Sequence, residues 1–402
     1  GQQIAIEVRG AGDGSFDQGD LVIFYAQPYD GGRFQNYNVY QFAYGGGIVG
    51  QRIATRPVTA TTVPVAASVI TQTLHVEYDR DYRSLYPRAN HEDHFFDTQL
   101  YVNATALTVT RSYDLALSNP VTAADKLVQV RALIHGGVNQ VANPDQSVLL
   151  RLNDHDIGVY AWEGRTDRLI SASMPAAWLD GSPNRVHLVA SQAQLPSLSY
   201  YWISPDWIQV SYPAQAVAAN DRLYIEGLVA PSGPVAVSGF TTPFVSAFDV
   251  RNPAQPLRLS GMGVQPDNGN YLFFWDETVA APTYALSTDA ALLAPGSVER
   301  DTPSNWANPD NAYDYIAIIG AQRFYTGTTT LGGQLAAAVQ PLLAYRATEG
   351  LNVALVNVQD IYDEWSYGRI DPHAIRSFLS YAAYNWATAP NYVLSVGDGH
   401  YE

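Results

Sequence analysis

Hydrophobic and polar positions follow two different rules along this chain, and the change comes near residue 312. Before it, short runs alternate or are rich in β-branched and aromatic residues. Examples are "LVIFYAQ" (21–27), "LHVEYD" (74–79), "ALTVTRSYDLAL" (106–117), "KLVQVRALIHG" (126–136), "SVLLRLND" (147–154), "NRVHLVAS" (184–191), "DWIQVSYP" (206–213) and "RLYIEGL" (222–228). Clusters of Gly, Pro, Asn and Asp separate them, a spacing that predicts antiparallel sandwiches rather than a parallel sheet. "PAAWLDG" (175–181) is read as one short turn.

A second β block follows at 235–295, with "VAVSGF", "FVSAFDVRNPAQPLRL", "YLFFWDE" and "TYALST". The expected division is a β segment at 1–66 that pairs with 235–300, a jelly-roll-like sandwich at 67–230, and an immunoglobulin-like sandwich at 235–300. The Pro-, Asn- and Asp-rich stretch that ends at 312 reads as a linker, 301–312, with little to pack.

After the linker the period changes. "YDYIAIIG" (313–320) is a continuous apolar run, the mark of a strand buried on both faces. A helix at about 329–348 places Leu331, Leu335, Val339, Leu342 and Leu343 on one side, with Gly350 as its stop and Pro341 as an expected kink. "LNVALVNV" (351–358) is a second strand and "DIYDEWSYG" a short helical or irregular turn. Asp371 then caps a helix that starts at Pro372, with Ile375, Phe378, Leu379, Ala382 and Trp386 as its apolar stripe. "NYVLSVGD" (391–398) is the third strand, expected to be buried. The order β-α-β-α-β gives a small three-layer α/β subdomain with a parallel sheet at 313–402.

Composition narrows the function classes. At 402 residues the chain is too long for a single core. No apolar run is long enough for a membrane-spanning helix. The formal charge of −16, with Lys126 as the only lysine, argues against nucleic acid, because phosphate binding needs clustered cations. There is no cysteine, hence no disulfide and no thiolate metal ligand. No signal peptide opens the sequence, and "GQQIAIEV" enters a strand pattern at once, as in a trimmed or mature fragment.

The last ninety residues resemble the gingipain family of bacterial cysteine peptidases, which have a caspase-like catalytic fold. The resemblance rests on "YDYIAIIG", "LLAYRATEGLNVALVNVQDIY", "GRIDPHAIRSFLSYA" and "APNYVLSVGDGHY", in the family's order. More loosely, "GAGDGSFDQGDLVIFYAQ", "VLLRLNDHDIGVYAWEG", "WLDGSPNRVHLVA" and "FVSAFDVRNPAQPLRL" resemble the front part of large secreted members. The resemblance implies an extracellular or cell-surface thiol peptidase acting on protein or peptide. Its histidine, in a His-Gly pair, and its cysteine would lie on later strands. Neither carries over to a residue here, so the chain is expected to be the amino-terminal part of a longer enzyme. Its partner would be a downstream catalytic subdomain, and alone it should be inactive. The alternative is a non-catalytic extracellular module, binding carbohydrate or protein, with a degenerate α/β tail.

Few side chains suggest chemistry of their own. Asp398 and His400 fall where a parallel sheet's carboxyl ends point, and are candidates for the rim of an active-site crevice. Asp13, Asp17 and Asp20, around two glycines, are candidate calcium ligands, although their spacing is not that of an EF-hand. His91, Glu92 and His94 lack both strand and helical chelating spacing and read as a solvated loop. His75, His135, His155, His187 and His373 stand alone and receive no role. Tyr200, Tyr201, Trp202 and Trp207 offer either a sugar-stacking platform or one face of a core strand, and the alternation favours the core.

Overall fold

A computed structural model describes residues 2–29, 35–45, 47, 50–87, 94–181, 183–226, 228, 234–320 and 331–397. The chain divides into two compact units: 4–25 with 51–293, and 1–3 with 26–50 and 294–402.

The larger unit is built from sheets that are antiparallel except for one parallel pair of strands. One has four strands in the order His155–Trp162, Gln146–Leu152, Asn184–Ser191, Thr108–Leu115. A second runs Asp167–Pro175, Leu127–Gly136, Tyr201–Gln215, Val69–Glu77, with Leu100–Val102 also pairing with the start of Tyr201–Gln215. Alternation decides what each strand buries. In Leu127–Gly136, Val128, Val130, Ala132 and Ile134 are fully buried while Leu127 is exposed. Val148, Leu150, Val186 and Leu188 of the other sheet join them in one core.

Tyr201–Gln215 changes phase midway. Tyr201 and Ile203 point into the core, and then Ile208, Val210, Tyr212 and Ala214 do. A register shift between Pro205 and Ile208 supplies the extra residue that moves the buried face from odd to even positions.

The same core continues into Val235, Phe240, Trp275 and Tyr284. These belong to a three-stranded sheet, Val235–Phe240, Asn270–Trp275, Gly263–Asp267, and to a five-stranded one. The latter is ordered Arg222–Ile225, Tyr284–Ser287, Ser246–Asp249, Leu257–Ser260, Ala54–Pro57, its last pair parallel. Chain from before residue 66 thus completes a sheet made of residues after 220. Five of these strands had no clear sequence signal: Ala54–Pro57, Leu100–Val102, His155–Trp162, Asp167–Pro175 and Gly263–Asp267.

The smaller unit is an α/β layer structure. Its parallel sheet is ordered Val353–Asn357, Tyr315–Ile319, Tyr392–Val396, so the first strand in the chain is central. All five residues of Tyr315–Ile319 are buried. Tyr315, Ala317 and Ile319 face Val339 and Leu343 of helix Leu331–Thr348. Ile316 and Ile318 face Ile361 of helix Val358–Ser366, and Ala374, Phe378 and Ala382 of helix Pro372–Asn385.

Helix Leu331–Thr348 contains Pro341 and continues past it to Thr348. Of the two alternatives for "DIYDEWSYG" the helical one holds: Asp360–Ser366 lie in a helix that starts at Val358, where Asn357 Oδ1 accepts the Gln359 N–H at 3.0 Å, and Tyr367 caps its end. Two expectations change here, for the edge strand and for residues 304–307. Strand Tyr392–Val396 is not buried: Tyr392 is 55% and Val393 47% exposed, because it is a sheet edge. Residues 304–307 are packed rather than linker-like. Trp306 packs edge-on or tilted against Tyr313, Phe378 and Trp386, and the Glu364 carboxylate accepts from Ser304 Oγ, Trp306 N and Ala307 N.

Candidate functional site

The carboxyl ends of the three parallel strands define the candidate site, since open parallel sheets bind ligands outside that edge. Ile319 leads into Gly320, Asn357 ends the second strand and caps the next helix, and Val396 leads into Gly397. Gly320 N–H donates to Val396 O at 3.2 Å, which holds the central and edge strands together to their last residues. Gly397 has φ +154° with open space around its missing Cβ, so glycine is required there by backbone conformation and not by crowding.

Behind the rim, Gln359 Nε2 donates to Asp363 Oδ1 at 2.9 Å. Asp360 lies further along the same helix and accepts from Trp306 Nε1 at 3.4 Å. Burial pushes the Asp360 carboxyl above the usual carboxylate range, and the nearby charges of Asp363, Asp301 and Glu364 add to the effect. Asp371 Oδ1 accepts the His373 N–H at 2.8 Å and so fixes the start of the third helix as its sequence predicts.

Asp398 and His400, the rim candidates, lie outside the described residues. The described rim consists of Gly320, Asn357 and Gly397. Asn357 was legible as an Asn just before a helical stretch, but that stretch is short and polar enough to pass for a turn.

Asp13, Asp17 and Asp20 lie on one turn, in which Ser15 Oγ is 3.0 Å from Asp13 Oδ1 and 3.4 Å from Asp17 Oδ2. Asp13 Oδ1 accepts Ser15 N and Ser15 Oγ, both at 3.0 Å, and Asp20 Oδ2 accepts the Asp17 N–H at 3.0 Å. The Ser15 hydrogen bonds hold the Asp13 carboxyl below its ordinary value. Among the described residues no group of three or more His, Asp or Glu side chains is placed to hold a metal ion. The carboxylates tie a Gly/Asp turn.

His91 and Glu92 lie outside the described residues, and His94 Nδ1 is 3.1 Å from Arg83 O. The other histidines all have carboxylate or hydroxyl neighbours, His75 with Glu77, His135 with Asp167, His155 with Asp180, His187 with Ser112 and His373 with Asp371. The aromatic run divides between two faces. Tyr201 is fully buried, while Tyr200 is 41% exposed and Trp202 half-buried.

The family model described as peptidase family C25 matches residues 308–402, the whole of the parallel-sheet segment. Among solved structures, the chain is similar to dimeric latent PorU from Porphyromonas gingivalis. The TM-score is 0.56 at 14% identity, covering 83% of this chain and 30% of that one. That likeness shows a shared fold. Two further matches have TM-scores of 0.20, too low to support a fold argument. One is the CBM36-1 domain of a multidomain xylanase from the hindgut metagenome of Trinervitermes trinervoides, at 14% identity over 35% of this chain and 96% of that one. The other is infectious bursal disease virus Gt strain, at 9% identity over 68% of this chain and 46% of that one. No curated protein matches.

Proposed function

We propose, from the premise that residues 308–402 are a segment of peptidase family C25, the gingipain family, that this chain serves a secreted cysteine endopeptidase. In this reading the β sheets are supporting modules, and residues 313–402 are the first half of the catalytic α/β domain. The observation that carries it is the family match across the parallel sheet, whose carboxyl rim at Gly320, Asn357 and Gly397 is where such a fold binds substrate.

A thiol mechanism needs a sulfur nucleophile with a base in hydrogen-bond reach, and the 402 residues contain no cysteine. On this reading the nucleophile comes from polypeptide outside this sequence, and the family's catalytic histidine would come with it. The half-exposed edge strand Tyr392–Val396 supports the reading, because a further strand of that polypeptide would pair there and cover it. Asp398 and His400 would border the crevice so completed, and the substrate would be protein or peptide. This chain spans 30% of the length of PorU, which supports a partner subdomain. The proposed location outside the cytoplasm follows the family resemblance.

The test compares the 402-residue chain with the product of its reading frame carried past Glu402, on arginyl and lysyl peptide reporters with and without iodoacetamide. Iodoacetamide-sensitive cleavage by the longer product alone is expected. Cleavage by the 402-residue chain, or a frame with no Cys within roughly two hundred further residues, a domain's length, overturns the reading.

A further inference from the structure

We infer that Tyr101, Tyr200 and Trp202 form a binding platform for a neutral pyranoside glycan on the outer face of the larger unit. The inference is independent of the peptidase reading. Tyr101 and Trp202 are direct cross-strand partners in the pair Leu100–Val102 with Tyr201–Gln215, so their side chains leave the sheet on the same side. Tyr200 precedes Trp202 by two residues and shares that face, while Tyr201 between them is buried.

Two of the three rings are near-parallel, and Tyr101 is tilted 55° from Trp202 and 46° from Tyr200. Tyr200 and Trp202 are nearly parallel, 11° apart, with centroids 6.1 Å from each other. Tyr101 closes the group at 5.9 Å from Trp202 and 6.4 Å from Tyr200. Tyr101 is 43% exposed and Tyr200 41%. Exposed aromatic clusters of this kind mark interaction sites more often than scattered surface apolar residues do.

The platform is held rigid from beneath. Gly137 N–H donates to Trp202 O at 3.0 Å, and Gln140 Nε2 donates to Tyr200 O at 2.8 Å. A Cβ at Gly137 would lie 1.8 Å from Trp202 Nε1, so only glycine lets the indole lie against that backbone. The fully buried Asp145 fixes the same loop, accepting Gln140 N–H at 2.7 Å and Gly164 N–H at 2.8 Å. Pre-organisation of this kind reduces the entropy lost on binding.

Size and neutrality select the ligand. Three rings about 6 Å apart match one or two sugar rings, and fall well short of the ~800 Å² per partner of a stable protein interface. The platform and the Gln140 amide at its margin carry no charge. A pyranose offers an apolar C–H face for aromatic rings and a hydroxyl rim for amide and phenol groups, which is the pairing of apolar body and polar edge that Tyr and Trp provide.

The experiment titrates the full chain with cellohexaose, xylohexaose and mannohexaose by calorimetry and tryptophan fluorescence, after a screen on an array of neutral glycans. Binding in the micromolar-to-millimolar range is expected. Tyr101→Ala and Tyr200→Ala should each weaken it at least about tenfold. Tyr224→Ala, an exposed tyrosine on a different sheet, should leave it unchanged. Both platform substitutions remove exposed rings, so circular dichroism should show folded protein. No binding at about 5 mM oligosaccharide together with a flat array overturns the inference. So does binding that both substitutions leave intact. Self-association of the chain that disappears in Tyr200→Ala also overturns it, since the rings would then be a protein contact.

Discussion

The indole Nε1 of Trp386 donates to the backbone carbonyl of Trp306 at 2.9 Å, joining the chain before the first parallel strand to the end of the last helix. Around that bond, Trp306 packs against Tyr313, Phe378 and Trp386 at 6.1–6.5 Å between ring centroids. Truncation of a core Trp costs ~3–5 kcal/mol, and Trp306 is partly exposed, so Trp306→Ala should cost about 3 kcal/mol. Denaturant unfolding followed by fluorescence tests this. A loss below about 1 kcal/mol would mean that residues 304–312 are the loose linker their composition suggests.

Asp97 is fully buried and accepts from two arginines: Arg80 Nη1 at 2.9 Å, Arg111 Nε at 2.6 Å and Arg111 Nη2 at 2.9 Å, with Thr98 N–H at 2.7 Å. Removing one partner of a buried ion pair costs ~3–5 kcal/mol. Arg80 and Arg111 are both partly exposed and keep some access to water, so Asp97→Ala should fall at the lower end. Its urea midpoint should drop without a change in slope. Beside this carboxylate, burial pushes the Tyr113 hydroxyl far above the usual phenol range, and the charge of Asp97 adds to it. Tyr113 should therefore stay protonated until alkali unfolds the protein.

Much of this fold could be read from the chain, and the misses share a cause. Tyr315–Ile319 was legible because a central parallel strand is apolar at every position. Tyr392–Val396 has a similar composition yet is exposed, because whether a strand lies at an edge depends on its neighbours and not on its residues. The Asp371 cap was legible as local chemistry. The packing of Trp306 was not, since its partners Phe378 and Trp386 come more than seventy residues later. In the aromatic run, alternation separated Tyr201 from Tyr200 and Trp202, but not which face was covered. Of the described rim residues Gly320, Asn357 and Gly397, only Asn357 carries a local signal, as an Asn just before a helix.

Asp249 gives the larger unit a specific acid sensitivity. Its side chain is 2% exposed and meets Arg56 Nη1 at 3.0 Å and Arg251 Nη2 at 2.8 Å. Burial alone would raise its pKa, but the hydrogen bonds and charge of Arg251, with the charge of Arg56, leave it below the ordinary carboxylate value. A depressed folded-state pKa contributes stability above the unfolded value of about 3.9, and that contribution is lost as pH falls through the folded value. Wild type should exceed Asp249→Asn by on the order of 3 kcal/mol at neutral pH. The gap should narrow below about pH 4. Urea titrations from neutral to strongly acidic pH measure it, and a gap independent of pH would remove Asp249 as its source.

Pro341 sits on an exposed face in the middle of helix Leu331–Thr348, where it can make no N–H bond to the carbonyl of Ala337. The helix is held instead by its buried face, with Val339 and Leu343 packed on Tyr315, Ala317 and Ile319. Pro341→Ala restores the missing donor, relieves the ring's clash with the preceding turn and removes no buried contact. Proline costs ~3 kcal/mol relative to alanine within a helix. Its restriction of the unfolded chain returns about 0.4–1 kcal/mol of that. Pro341→Ala should therefore stabilise the smaller unit by roughly 2–2.6 kcal/mol, seen as a higher urea midpoint in the full chain. An unchanged or lower midpoint would mean that the proline sets a bend on which the packing of Val339 and Leu343 depends.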